Sequence, residues 1–558
     1  MSMSRTDPDS SEAQGPHDSE ERSGISRRAL LTGAAGVAIG TLAHAVSARA
    51  QVTGLTPGGG TVPFRLPKGA LPFLDRKQYL HNMEVHAHLP GVRFTTGEPL
   101  VVMYARGSQR LLPGGAGFLD VSDGRKPVLI ETGKVRTGGA VAYNSNLKKW
   151  IMVVSAGRPL SGANPQYPLG QHHPEYRDKI LNWEGHRGIR TYDVTNPARP
   201  VLLQEFSTGK RGGGTHHNFY DGGKYAYLDA GWDDELRMEN AQRPSSNGIM
   251  IVDMTDPANI KEVSRWWVPG QRVGEEEEYK KYWFAGDQSS WTGNHGALTV
   301  PKRVEDGGRY GYGGFGHFGL FVFDLTDVRN PKPIARFQAP FESMGGIPYH
   351  TVYPLAANMR HPRLQNLLIG VPETVQPDCR EPYKPVQVID VNDPKNPRLV
   401  GIFPRPVAPK DAPYADFCQA RGRFGWHNTH AWAAPGIERP EVLGVTAFAA
   451  GIRLFDLSDP AQPKETAWFV PARDGEIEDY ETWFRGTAES VYIEWDRNLI
   501  WLGTHEGTYC LSSPALGKPI FEPRPVERWS QAHVNAGWDD HTSKSVYFGR
   551  GLRERLGL

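Results

Sequence analysis

The stretch Phe455-Asp456-Leu457-Ser458-Asp459-Pro460 is an apolar run that stops at a carboxylate, followed by one apolar residue, a hydroxyl, a second carboxylate and a proline. Asp and Ser side chains accept hydrogen bonds from backbone N–H groups two residues on, and proline fixes φ, so the phrase reads as a strand that ends in a tight turn. It recurs as Leu119-Asp120-Val121-Ser122-Asp123, Tyr192-Asp193-Val194-Thr195-Asn196, Val252-Asp253-Met254-Thr255-Asp256, Phe323-Asp324-Leu325-Thr326-Asp327 and Ile389-Asp390-Val391-Asn392-Asp393. A degenerate seventh copy is Tyr509-Cys510-Leu511-Ser512-Ser513-Pro514.

Outward from each phrase, one more strand-like run follows, as at 200–203 and 398–402, and two precede it, as at 488–492 and 499–502. Four antiparallel strands repeated along a chain solve the edge-strand problem by closing into a ring. The spacing therefore predicts an all-β propeller of seven blades with four antiparallel strands each. An eighth blade is accommodated if 85–89 forms an extra inner strand. The segment 533–549 carries two strand-like runs with no phrase after them, and the copy at Leu119 lacks a clear inner strand of its own. Pairing between these two chain ends is the expected ring closure.

The repeats resemble the LVIVD-repeat family over most of the chain from about residue 118 onward. The resemblance implies a propeller and says little about activity, because function resides in sites grafted onto folds.

Composition narrows the partners. Of 558 residues, 63 are Lys or Arg and 62 are Asp or Glu, a formal net charge of +1, so no global field draws in nucleic acid or anionic lipid. A hydrophobic content of 39% supports a large core, and 63 glycines with 45 prolines suit many short strands joined by turns. Cys379, Cys418 and Cys510 show no C-x-x-C spacing, so they read as buried thiols rather than as a disulfide framework or a thiolate metal site.

Residues 1–50 read as an address. Ser26-Arg27-Arg28-Ala29-Leu30-Leu31 precedes an apolar run, and Ala48-Arg49-Ala50 offers small residues for cleavage before Gln51. The paired arginines resemble the twin-arginine export signal, which implies passage of a folded protein through that machinery to the periplasm or beyond. Folding around a metal before export is one reason to use such a route. The mature part, 51–558, then forms a single propeller domain with no membrane span.

Aligning the units at the start of their innermost strands gives Ala140, His217, His295, His350, His430, Glu489 and His533. Inner strands converge on the axis of a propeller, so these residues are expected on one ring. Several imidazoles without thiolates suit a transition metal, iron or copper in preference and zinc as a further fit. His217, His295, His350 and His430, from four successive blades, are the expected ligands, with His533 in reserve and Glu489 as an orienting or proton-transfer group. The competing reading is a hydrogen-bond network inside each blade with no metal, of the sort a repeated histidine serves in WD-repeat propellers.

A second set, His186, His317 and His505, falls just before the third strands. Second strands run back toward the ring, so these histidines are expected on its face, where they hold the ligands in place, touch substrate or serve as turn residues. His216 and His427 lie beside ring positions, and strand alternation sends them to the opposite side as structural residues unless a loop redirects either one. Aromatic segments lead into three inner strands: Tyr279, Tyr282, Trp283 and Phe284; Tyr480, Trp483 and Phe484; and Tyr414, Phe417, Phe424 and Trp426. They form either a water-excluding roof or satellite cores and oligomer contacts. Glu275–Glu278 reads as a solvated acidic patch. No G-x-S-x-G, P-loop or strand-to-helix G-x-G-x-x-G occurs.

Two functions remain open on these residues. One is a periplasmic metal oxidoreductase, an oxygenase or oxidase of a small apolar or aromatic compound, similar in architecture to carotenoid-cleaving oxygenases though without their motifs. A metal-assisted lyase or hydrolase would use the same ligands. The other is a non-catalytic binding or scaffold propeller.

Overall fold

The computed structural model describes residues 77–94, 104–106, 108–144, 146–157, 184–210, 212–232, 247–272, 274–275, 277–278, 294–338, 347–355, 364, 366–374, 379, 382–420, 422–429, 441–473 and 485–523. Their strands make seven small antiparallel sheets, the blades of a β-propeller. From the inside outward, blade 1 is Tyr104–Arg106, Gln109–Pro113, Gly117–Asp120 and Val128–Glu131; blade 2 is Ala140–Asn144, Lys149–Ala156, Gly188–Asp193 and Val201–Ser207. Blade 3 is Gly214–Tyr220, Tyr225–Gly231, Gly248–Asp253 and Lys261–Trp266; blade 5 is Ile347–Pro354, Leu367–Glu373, Gln387–Asp390 and Arg398–Ile402. Blade 4 has Tyr310–Gly314, Leu320–Asp324 and Lys332–Phe337, with Thr299 bridging Tyr312 on the inner side. Blade 6 has Val442–Thr446, Ile452–Asp456 and Lys464–Val470, with Thr429 bridging Val445 on the inner side. Blade 7 has Ala488–Glu494, Leu499–Thr504 and Gly507–Ser512.

The repeated phrase does what its chemistry dictates. The Asp that ends the third strand accepts from the backbone N–H two residues on, at 2.8–3.0 Å, in six blades: Asp120 from Ser122, Asp193 from Thr195, Asp253 from Thr255, Asp324 from Thr326, Asp390 from Asn392 and Asp456 from Ser458. Three residues later the next Asp or Asn does the same, for example Asp256 from Ala258 at 3.0 Å and Asp393 from Lys395 at 3.0 Å. Between them Val121, Val194, Met254, Leu325, Val391 and Leu457 are buried, so each turn is pinned to the core. In blade 7 Cys510 stands where the first Asp would be, and Ser513 alone caps the turn, accepting from Ala515 N at 3.2 Å.

Ring closure differs from the expectation. The outermost strand of blade 7 is Glu84–Pro90, paired antiparallel with Gly507–Ser512. The stretch 85–89 therefore lies at the rim, not at an eighth inner position. Tyr79–His81 adds a further strand outside Lys464–Val470. Blade 1 has its own inner strand at Tyr104–Arg106, so it needs none from the C-terminal side; the segment 533–549 lies outside the described residues. N- and C-terminal chain regions do pair, but the donor is the N-terminal one.

Blades 7 and 1 are clasped by buried charge. Arg110 donates to Glu494 at 2.8 Å and to Asp496 at 2.6 Å, while Arg497 donates to the carbonyls of Val121 and Ser122, each at 2.7 Å. Buried ions persist only when paired and hydrogen-bonded, and every one of these is.

The cysteine reading also needs correction. Cys379 and Cys418 are bonded, their Cα atoms 5.5 Å apart across a separation of 39 residues. No short motif announces the pair because the fold brings together the chain leaving blade 5's second strand and the segment entering blade 6. Cys510 is a free, buried thiol. Among the described residues, no helix is long and apolar enough to cross a membrane.

Candidate functional site

The inner strands are irregular at the same place in successive blades. Pairing of Gly214–Tyr220 with Tyr225–Gly231 slips between Thr215 and Asn218, that of Ile347–Pro354 slips between Ile347 and Thr351, and that of Ala488–Glu494 slips between Ala488 and Ser490. In blade 6, His427 N donates to Thr446 O while Thr446 N donates to Asn428 O, so two residues stand opposite one. Extra residues of this kind break the alternation of a strand and re-aim side chains, commonly beside functional sites.

In blades 3, 5 and 6 the slipped residues include histidines, and they meet one another and His295 of blade 4. Ring centres lie 3.8 Å apart for His216 and His217, 4.9 Å for His216 and His295, 5.3 Å for His217 and His295, 4.7 Å for His295 and His350, and 4.6 Å for His350 and His427. Blades 3, 4, 5 and 6 thus contribute five imidazoles to one contiguous cluster. His216 and His427 belong to it, contrary to the expectation from alternation, because the bulges turn both neighbours inward.

One carboxylate joins them. Glu373 closes the second strand of blade 5, which runs back toward the cluster. Its Oε2 lies 3.2 Å from His295 Nε2 and 3.7 Å from His350 Nε2. Its Oε1 accepts from Arg423 Nη2, and Arg423 Nε donates to Thr374 O at 2.7 Å. Burial works to raise this carboxyl, but the Arg423 guanidinium, with His295 and His350, outweighs it and holds Glu373 well below the usual carboxylate range.

Two of the imidazoles, His217 and His427, are held toward the neutral form. Burial, reinforced by the neighbouring His216, His295 and His350, keeps His217 well below its ordinary value; burial and then His350 do the same for His427. Hydrogen bonds fix which nitrogen is bare. A carbonyl can only accept, so at 3.0 Å from Glu489 O it is His427 Nδ1 that carries the proton. Asn428 Nδ2 donates to the same carbonyl at 3.0 Å, leaving its Oδ1 to accept from Thr351 Oγ1 at 3.1 Å. The Thr351 oxygen is then the acceptor for His350 Nδ1–H at 2.9 Å, which leaves His350 Nε2 to face Glu373 Oε2 at 3.7 Å. In the neutral ring that nitrogen is the basic one, and a cation between it and the carboxylate oxygen would stabilise the pair.

Behind this layer, Phe448 is buried and carries His427 stacked on its ring at 4.5 Å and the Arg423 guanidinium 4.0 Å from its centre. Its backbone is left-handed, φ 44°, which is costly for a non-glycine residue and persists only where the surroundings enforce it.

Of the residues expected from the sequence, His217, His295 and His350 come together. His430 and His533 lie outside the described residues, as does the His317 side chain. Glu489 contributes its main-chain carbonyl to His427; its carboxylate pairs with Arg93 Nη1 at 2.8 Å. His505 Nδ1 lies 4.0 Å from Glu506, and His186 Nε2 donates to Ile189 O at 3.1 Å, a turn contact. Glu275 is a local cap, accepting from Trp267 Nε1 at 2.9 Å. The aromatic segment of blade 6 is a satellite core: Tyr414, Phe417, Phe424 and Trp426 are buried, Phe417 stacks on Phe424 at 5.3 Å, and Trp426 Nε1 donates to Tyr383 at 2.6 Å. Residues 279–284 and 480–484 lie outside the described residues. Glu373 and Arg423 were missed; the reverse run of second strands, already applied to His186 and His505, would have pointed to Glu373.

No family model matches the chain, and no curated protein matches it. Solved structures show limited similarity to it. The β-propeller domain of Cps50 (Swd1) from Myceliophteria thermophila is 10% identical with a TM-score of 0.39, covering 76% of this chain and 99% of that one. Sqt1 from Chaetomium thermophilum is 10% identical with a TM-score of 0.40, covering 74% and 82%. The extracellular domain of a hybrid two-component system from B. thetaiotaomicron is 11% identical with a TM-score of 0.36; the match covers 77% of this chain and 40% of that one.

Proposed function

We propose that the chain is a metal-dependent oxidoreductase of the LVIVD-repeat type, exported by the twin-arginine route, that acts on a small apolar or aromatic compound at a histidine-held transition metal ion, iron or copper. The observation that carries this reading is the convergence of His350 Nε2 and His295 Nε2 on Glu373 Oε2, 3.7 Å and 3.2 Å away, with His350 Nδ1 held by the Thr351–Asn428 pair. Donor atoms of His295, His350 and Glu373 all lie within 4.8 Å of one another, as do those of His216, His217 and His295. Nitrogen and carboxylate donors without thiolates suit these metals, and zinc fits the same set.

A redox-active ion at this position supplies electron transfer with the substrate. The chain's own residues do the rest. Arg423 keeps Glu373 ionised and fixes its orientation, the Thr351–Asn428 pair sets the His350 tautomer, and the Glu489 carbonyl sets that of His427. The buried position excludes water, which strengthens each of these interactions.

Elemental analysis of protein exported through its own leader tests the reading, followed by dioxygen uptake with a panel of small apolar and aromatic compounds. Stoichiometric iron or copper with compound-dependent uptake is expected. Folded protein with no bound metal overturns it and leaves a binding or scaffold propeller; zinc alone moves it to a lyase or hydrolase.

A further inference from the structure

The two donor sets share His295 alone. One contains His216 and His217 from the bulge of blade 3; the other contains His350 and Glu373 from the first two strands of blade 5. His295, on the inner segment of blade 4 between them, has ring centres 4.9 Å and 5.3 Å away on one side and 4.7 Å away on the other. Its Nε2 is committed to the Glu373 side, 3.2 Å from Oε2.

Six donor groups exceed what one ion uses. A catalytic site of this chemistry takes three protein ligands and keeps a position open, and even a closed one takes four. Here five imidazoles and a carboxylate stand in one cluster, in which His217 also lies 5.5 Å from His350, and the cluster has two sides of different character. The His216 and His217 end offers imidazoles alone, while the His350 end adds a carboxylate whose charge Arg423 already balances in part.

We propose that the cluster is a two-metal site, one ion held by His216, His217 and His295 and the other by His295, His350 and Glu373, with the His295 ring bridging them as an imidazolate whose remaining N–H proton is released to solvent when the second ion binds. The inference rests on the metal reading above and adds a second ion to it. Paired ions differ chemically from a single one: they pass two electrons to or from one substrate, or clamp both oxygens of a bound group. The imidazole-only end suits a lower-charge or softer ion such as copper, and the carboxylate end a harder divalent one.

The test uses the full chain stripped with a chelator and reloaded with copper(II), washed free of loosely held ion. Two equivalents bound per chain are expected, with an electron-paramagnetic signal smaller than the copper content because two bridged copper(II) ions couple. His216→Ala and Glu373→Gln should each retain one equivalent, and that equivalent should give its full signal. One equivalent in the unsubstituted chain, or complete loss of copper from both variants, overturns the two-metal proposal and leaves the single site standing. No retained copper sinks both. Should His216→Ala fail to fold, as judged by circular dichroism, His217→Gln serves the same end.

Discussion

Arg423 holds one oxygen of the Glu373 carboxylate while the other oxygen faces His295 Nε2 at 3.2 Å. The cation therefore comes from the segment entering blade 6 and the anion from blade 5, so a single ion pair fixes the seam between two blades at the histidine cluster. Both partners are buried, and removing one leaves an uncompensated charge in the interior.

Replacing Arg423 by Met keeps the bulk and removes the cation. The cost is expected at roughly 3–5 kcal/mol, the range for breaking a buried pair. Urea unfolding in the presence of a chelator measures it; a loss below about 1 kcal/mol would show that the pair behaves as an exposed one.

The turn aspartates set an acid limit. Asp324 is pulled down to about 2, first by the Arg309 hydrogen bond at 2.7 Å and then, against partial burial, by Thr326. Asp193 and Asp390 are also lowered: burial opposes the shift, and Lys149 for the first and Asn392 and Arg398 for the second overcome it. A carboxyl lowered in the folded chain binds fewer protons there than when unfolded, so its stabilisation is complete above the unfolded value of 3.8 and is lost as pH falls toward 2. Asp324→Asn keeps the turn acceptor but cannot titrate. Its unfolding midpoint should fall less steeply between pH 4 and pH 2 than that of the parent, and equal slopes would remove Asp324 from the account.

The bridge between Cys379 and Cys418 closes a loop of 39 residues, for which chain entropy gives roughly 4 kcal/mol. It also ties the chain leaving Glu373 to the segment that carries Arg423 and His427. Cys418→Ser should lower the urea midpoint and, in the same preparation, speed the loss of bound metal to a chelator. Unchanged release rates beside a lowered midpoint would confine the bridge to general stability.

Gly507 opens the third strand of blade 7 at φ +145°, and a Cβ there would run into the carbonyl of Leu89. Gly188 occupies the same place in blade 2, with φ +141° and the carbonyl of Phe206 where a Cβ would go. Strain of this kind costs about 1–3 kcal/mol. Gly507→Ala should therefore expose residues 84–90 to limited proteolysis while the remaining blades stay resistant. Uniform sensitivity across the chain would mean that the strand is not a separately opening unit.

The blades were legible because Asp at each strand end has a local job, capping a turn two residues on, and local chemistry survives in a sequence whatever the rest of the fold does. His217, His295 and His350 were legible for the same reason, as equivalent positions in equivalent strands. His216 and His427 were not, because the reading assumed strict alternation and the inner strands bulge at that point. Glu373 and Arg423 sit on different repeats and meet only in three dimensions. The rim placement of 85–89 was hidden too: a strand next to no other strand of its own unit looks the same in sequence at either edge of a sheet.

The pairing of Val85 with Leu511 and of Leu89 with Thr508 joins residues more than four hundred positions apart. Synthesis runs from the N-terminus, so Glu84–Pro90 emerges first and waits unpaired until residues 507–512 have been made. Long-range pairing of this kind slows folding and leaves an aggregation-prone margin in the interval.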